Sequence, residues 1–225
     1  MLERTTPTFE PSPAWLRPLE WSRHSLLWLS LPSLLVVLAG AILFSQAGNN
    51  SLLAGLDGHW HRWAVGLRTP WLNESNWVLD LVGNEGMIMY CLMLFLFLLW
   101  RRHWRLALFT AAANLGGVVA THLLKFLVSR PRPENRIVDV DFGSYPSGHS
   151  SGTVAAMIVT AVLLSRAWIW ICGSILSITM MFSRIYVGAH WVTDTLAGAL
   201  LGIGLTLLLW ALLRDKCLQR NIPAG

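Results

Sequence analysis

Apolar residues run almost unbroken through six stretches of the chain, about 26–44, 83–100, 106–124, 150–165, 167–183 and 195–213, and polar residues collect in the gaps. Most of these runs approach the roughly 20 residues an α-helix needs to cross a hydrocarbon core. The pattern therefore predicts an all-α, polytopic membrane protein with six transmembrane helices. The first run is followed by Ser45-Gln46-Ala47, which resembles a signal-peptide cleavage site. Its length, however, exceeds the roughly 7–15 apolar residues of a signal peptide and predicts a retained helix. Between Ser51 and Trp71 the period changes. Leu52, Leu53, Leu56, Trp60, Trp63 and Leu67 recur at helical spacing, while Asp57, His61, Arg62 and Arg68 fall mostly elsewhere. That is the pattern of an interfacial amphipathic helix, although a loop helix packed on the bundle has the same signature.

The spans divide the chain into a polar, proline-bearing tail (1–25), a membrane domain (26–213) and a short basic tail (214–225). A composition of 54% hydrophobic and 13% charged residues fits an integral membrane protein and not a soluble domain. The net charge of +5 is scattered in short clusters with no continuous basic stripe, so no nucleic-acid partner is expected. Charge does decide orientation. The two tails, the Arg101–Arg105 turn and Arg166 hold ten of the 17 basic residues, which places both termini in the cytoplasm. Cys91, Cys172 and Cys217 have neither a disulfide framework nor a metal spacing. Gly198 and Gly202 lie at GxxxG spacing and, with Gly116-Gly117, predict close helix packing. Trp77, Trp100, Trp104, Trp168, Trp191 and Trp210 lie near predicted span ends, where interfacial anchors are expected.

Three polar clusters interrupt the apolar sequence, and the alternation of spans puts all of them on the extracytoplasmic side. Lys125 lies at the end of the third span, and Pro131 and Pro133 stop that helix from continuing through Arg132. Lysine supplies a point charge and arginine a planar fork for phosphate oxygens, while Arg130-Pro131 competes for the arginine role. Pro146-Ser147-Gly148-His149 opens the fourth span, where unpaired backbone N–H groups attract anions. Ser183-Arg184 closes the fifth span. His190 and Asp194, four residues apart, share one helical face if the sixth span begins near them. A carboxylate accepting the imidazole Nδ1 proton leaves Nε2 free to attack. Charged groups at a membrane are costly unless paired or liganded, so they point to function. A His-x3-Asp pair can also bind metal, but three nearby cations repel one, and no further matched ligand is present. No metal or cofactor is expected.

Lys125-x6-Arg132-Pro133, Pro146-Ser147-Gly148-His149 and Ser183-Arg184-x5-His190-x3-Asp194 resemble, in order and spacing, the three signature motifs of the type 2 phosphatidic acid phosphatase superfamily. Pro70-Trp71-Leu72-Asn73 more weakly looks like the bacterial phosphatidylglycerophosphatase B group. The resemblance implies a metal-independent lipid phosphatase in a bacterial inner membrane. Its site would face outward and act on undecaprenyl pyrophosphate, phosphatidylglycerophosphate, phosphatidate or a phosphorylated lipid A. It further implies that His190 is the nucleophile, Asp194 its orienting carboxylate and His149 the general acid and then base. Lys125, Arg132, Arg184, Ser147 and the Gly148 amide would hold the phosphate. A phosphotransferase would use the same machinery. An anion transporter predicts polar spans and an internal repeat, neither of which the sequence has, and a vanadate haloperoxidase is expected to be soluble and larger. Asp139 and Asp141, beside the cationic cluster, are expected to select substrate.

Overall fold

The computed structural model describes residues 15–47, 52–140 and 142–218, and among these the chain forms helices and no strands. The helices are α1 (Arg23–Ala47), α2 (Ala54–Gly66), α3 (Pro70–Leu81), α4 (Met87–Trp100), α5 (Trp104–Val128), α6 (Gly148–Leu164), α7 (Ala167–Tyr186) and α8 (Val192–Leu218). A π-helical turn, Val82–Gly86, joins α3 to α4 without a break. Among the described residues, five segments are long and apolar enough to span a bilayer: α1, the continuous Pro70–Trp100 helix, α5, α7 and α8. The apolar helix α6 is shorter.

The largest departure from the hydropathy reading is in the second span. A start near Gly83 is too late, because the helix begins at Pro70, pre-set for a first helical turn and capped by the Thr69 hydroxyl accepting from the Leu72 N–H. Asn73, Glu74, Asn76 and Asp80 interrupt the apolar run and mask the helix in the sequence. Residues 15–22, part of the polar, proline-bearing tail of the sequence reading, are ordered against α6. Leu16 and Leu19 are buried, and the Arg17 and Leu19 N–H groups donate to the Leu163 and Val162 carbonyls at 3.1 and 2.7 Å.

Helix α8 is the centre of the bundle and packs on α1, α5, α6 and α7. Its contact with α6 depends on glycine. A Cβ at Gly202 would lie 2.7 Å from the Ser151 carbonyl oxygen, and one at Gly198 would strike the Ser147 carbonyl oxygen. Gly116 is closer to ordinary packing, with Leu205 3.4 Å from a built Cβ, and Gly117 has open space. Trp77, Trp100, Trp104 and Trp168 are exposed on the outside of the bundle, as interfacial anchors would be. Trp210 is not. It is fully buried against Phe109, ring centroids 5.1 Å apart, with its indole N–H donating to the Leu19 carbonyl.

Candidate active site

Helix α5 ends where Ser129 takes a left-handed conformation (φ 49°) and two prolines follow, which leaves Lys125 in its last turn. The chain then returns across the ends of α7 and α8 to Ser147. Gly143, at φ +67°, packs where a Cβ would lie 3.0 Å from the Lys125 carbonyl oxygen. Ser147 caps α6, its hydroxyl accepting from the Ser150 N–H and hydroxyl at 3.4 and 3.1 Å. The Ser147 N–H donates to the Asp194 carbonyl at 2.9 Å, so the first turns of α6 and α8 are tied together.

His190 lies in the short α7–α8 connection with its side chain 4% exposed. The Ser144 carbonyl oxygen is 2.7 Å from Nδ1 and accepts its proton, while the Asp194 carboxylate stands farther off at 3.7 Å. Nε2 thus keeps its lone pair and faces the Arg132 guanidinium at 3.3 Å; the same Arg132 nitrogen donates to the Ala189 carbonyl. Burial pushes His190 down to about 4, against the opposing pull of Asp194. A histidine buried neutral stabilises the fold only while it stays neutral. This contribution is complete above pH 6.5 and is lost as pH falls from there toward 4. At about 1.4 kcal/mol per pH unit, the loss is about 3 kcal/mol. Melting in detergent at pH 7 and pH 4.5 is expected to show this drop in the native protein, and His190→Gln is expected to lose most of it.

The second imidazole, His149, stands in the first turn of α6. Its Nε2 is 3.4 Å from Arg184 Nη1 and 3.1 Å from Asp80 Oδ1. Arg184 has a 2% exposed side chain. Its Nη1 also pairs with Asp80, its Nη2 donates to the Ser183 hydroxyl at 3.1 Å, and its buried Nε makes no hydrogen bond. Lys125 is close enough to act electrostatically on both imidazoles. Lys125, Arg132, Ser147, Gly148, His149, Arg184, His190 and Asp194, from helices α5 to α8 and the connections between them, therefore converge on one end of the bundle.

Arg130, the competing arginine, has a different place. It lies behind Asp194, with Nη1 2.6 Å from Asp194 Oδ1 and Nη2 2.7 Å from Asp57 Oδ2, and its guanidinium stacks 3.7 Å from the Phe44 ring centroid. Thr193 closes the cluster, its N–H and hydroxyl both donating to Asp57. Asp57 is only 2% exposed, so α2 does not simply turn its charged residues to water, as the amphipathic reading implied. Among the described residues, Ser144, Asp57, Arg130 and Asp80 are the site neighbours the motifs did not indicate. Asp139 is exposed, and Asp141 lies outside the described residues. No group of three or more His, Cys, Asp or Glu among the described residues is placed to hold a metal ion.

Among the described residues, fold and site together define an all-helical membrane protein with several cations and two histidines gathered at one end of its bundle. Residues 102–217, just over half of the chain, match the PAP2 superfamily, and the chain belongs to that family. It is 32% identical over 121 residues to the undecaprenyl-diphosphatase of Sulfolobus acidocaldarius, which covers 50% of this chain and 58% of that protein. It is 26% identical over 182 residues to phosphatidylglycerophosphatase B of Bacillus subtilis, which covers 72% of this chain and 85% of the relative. Among solved structures, the transmembrane PAP2 type phosphatidylglycerolphosphate phosphatase of Bacillus subtilis superposes with a TM-score of 0.67 at 22% identity, covering 89% of this chain and 98% of that one. The chain thus has the same fold.

Proposed function

We propose that this protein is an integral membrane phosphatase that hydrolyses a lipid phosphate or pyrophosphate through a phosphohistidine. One observation carries the reading. His190 donates its Nδ1 proton to the Ser144 carbonyl and presents an unprotonated Nε2 toward an arginine, the arrangement an attacking imidazole needs. In the first step Nε2 forms a bond to phosphorus and the bond to the leaving oxygen breaks, with His149 giving that oxygen a proton. In the second step His149 takes a proton from water, the hydroxide attacks phosphorus, the N–P bond breaks, and phosphate leaves with His190 restored. Arg132, Arg184, Lys125 and the Ser147-Gly148 turn stabilise the charge that spreads over the equatorial oxygens in both steps. Asp194 supports His190 from behind, together with the Ser144 carbonyl.

Substrates such as undecaprenyl pyrophosphate, phosphatidylglycerophosphate and phosphatidate fit this chemistry, because each presents a terminal phosphoryl group on a lipid. The reading includes six spans, with α6 as the short one, and the charge bias supports cytoplasmic termini and an outward-facing site in a bacterial inner membrane. The test is phosphate release by detergent-purified protein in EDTA across those three lipids. Release from at least one of them is expected, and a folded preparation that releases none overturns the proposal. For orientation, a protease is expected to remove a C-terminal tag in inverted vesicles and to spare it in intact spheroplasts. The reverse pattern overturns the topology.

A further inference from the structure

Asp80 stands in the site but belongs to none of the motifs. It comes from the last turn of α3, two residues before the π-helical turn, and its side chain is 41% exposed, so one face is open to solvent. Its other face is committed. A single carboxylate oxygen, Oδ1, pairs with Nη1 of Arg184 and lies 3.1 Å from Nε2 of His149. In the reading above, these two nitrogens serve a phosphoryl oxygen and the leaving oxygen. The oxygen of Asp80 therefore occupies an anion's place between them.

The approach is built into the backbone. Gly83, in the π-helical turn, sits where a Cβ would fall 2.6 Å from His149 Cδ2 and 2.7 Å from Met180 Cε. A side chain at this position would push aside the His149 ring and the end of Met180, so glycine lets the α3–α4 helix lie this close without disturbing the site, and an inserted π-turn often marks such a functional position. A phosphate dianion and an ionised Asp80 cannot share one Arg184 nitrogen without strong like-charge repulsion.

We propose that Asp80 is the specificity-determining residue of this site. It fills the phosphate position on Arg184 at rest and is displaced by a terminal phosphate, so it sets how strongly an anion must bind to enter. Its open face gives the carboxylate somewhere to go, by rotation into solvent. A terminal phosphate or diphosphate, with two or more charges, displaces it. A singly charged phosphodiester competes less well.

The inference rests on the phosphatase reading, and the experiment separates the two. Asp80→Asn keeps the side-chain shape and removes the competing charge. Measured on full-length protein in detergent, KM for a lipid phosphate and Ki for inorganic phosphate are both expected to fall about tenfold, with kcat changing less than KM. The rise in melting temperature caused by inorganic phosphate is expected to be larger in Asp80→Asn than in the native protein. Unchanged or raised KM and Ki, or a fall in kcat alone, overturns the role of Asp80. If the native protein releases no phosphate from any lipid, the phosphatase reading fails, while the melting shift still decides whether Asp80 competes with phosphate.

Discussion

His190→Ala is expected to lower phosphate release by at least about a thousandfold, with the protein still folded and still binding inorganic phosphate. A covalent nucleophile and the base or acid beside it act as one unit, so losing it removes the whole pathway and leaves only the weak effect of the remaining donors. The surroundings of the imidazole suit this proposed task. Ser144 fixes the tautomer through Nδ1, and Arg132 faces Nε2. The comparison to make is single-turnover phosphate release by native and variant protein, with trapping of acid-labile phosphoprotein in the native enzyme alone. Release reduced less than tenfold would assign the nucleophile elsewhere.

Arg130→Ala is expected to lower unfolding stability by about 3–5 kcal/mol, since removing one partner of a buried ion pair strands the other charges. Here two carboxylates would be stranded. Asp57 and Asp194 are 2% and 0% exposed, and Arg130 is the cation bonded to both. Adding Asp57→Asn to Arg130→Ala is expected to recover part of the loss, because one of the two unpaired charges is then gone. Chemical unfolding in detergent micelles for the two single variants and the double variant reads this coupling. A loss below about 1 kcal/mol for Arg130→Ala would show that the cluster contributes little to stability.

The helices were legible because a bilayer demands long apolar runs, and α1, α5, α7 and α8 extend those runs by only a few residues at their ends. Pro70–Trp100 was half hidden because its first half carries polar residues that serve the site and the connections, so hydropathy registered only α4. The motif residues were legible because their type and spacing recur in the family pattern. Their neighbours were not. Asp80 reaches Arg184 across 104 positions, Asp57 reaches Arg130 across 73, and Ser144 reaches His190 across 46. No local pattern marks an aspartate for such a partner. Asp57 falls among polar residues of an amphipathic helix, and Arg130 is one half of a repeated Arg-Pro pair. Trp210 shows the same limit, since a tryptophan near a span end reads alike whether it meets lipid or core.

The Asp57–Arg130–Asp194 cluster also orders the assembly of the chain. Its members are separated by 73 and then 64 positions, and Thr193 binds back to Asp57 across 136. Contacts over such distances form late, after the closure of long loops. As the polypeptide emerges, α2 can settle on the membrane and α5 can insert, but Arg130 then has only Asp57. The last helix must arrive before the charge is balanced and Asp194 can take its place behind His190. A chain halted after α7 would hold six of the eight candidate site residues and still lack the proposed nucleophile, so the site becomes complete only with α8.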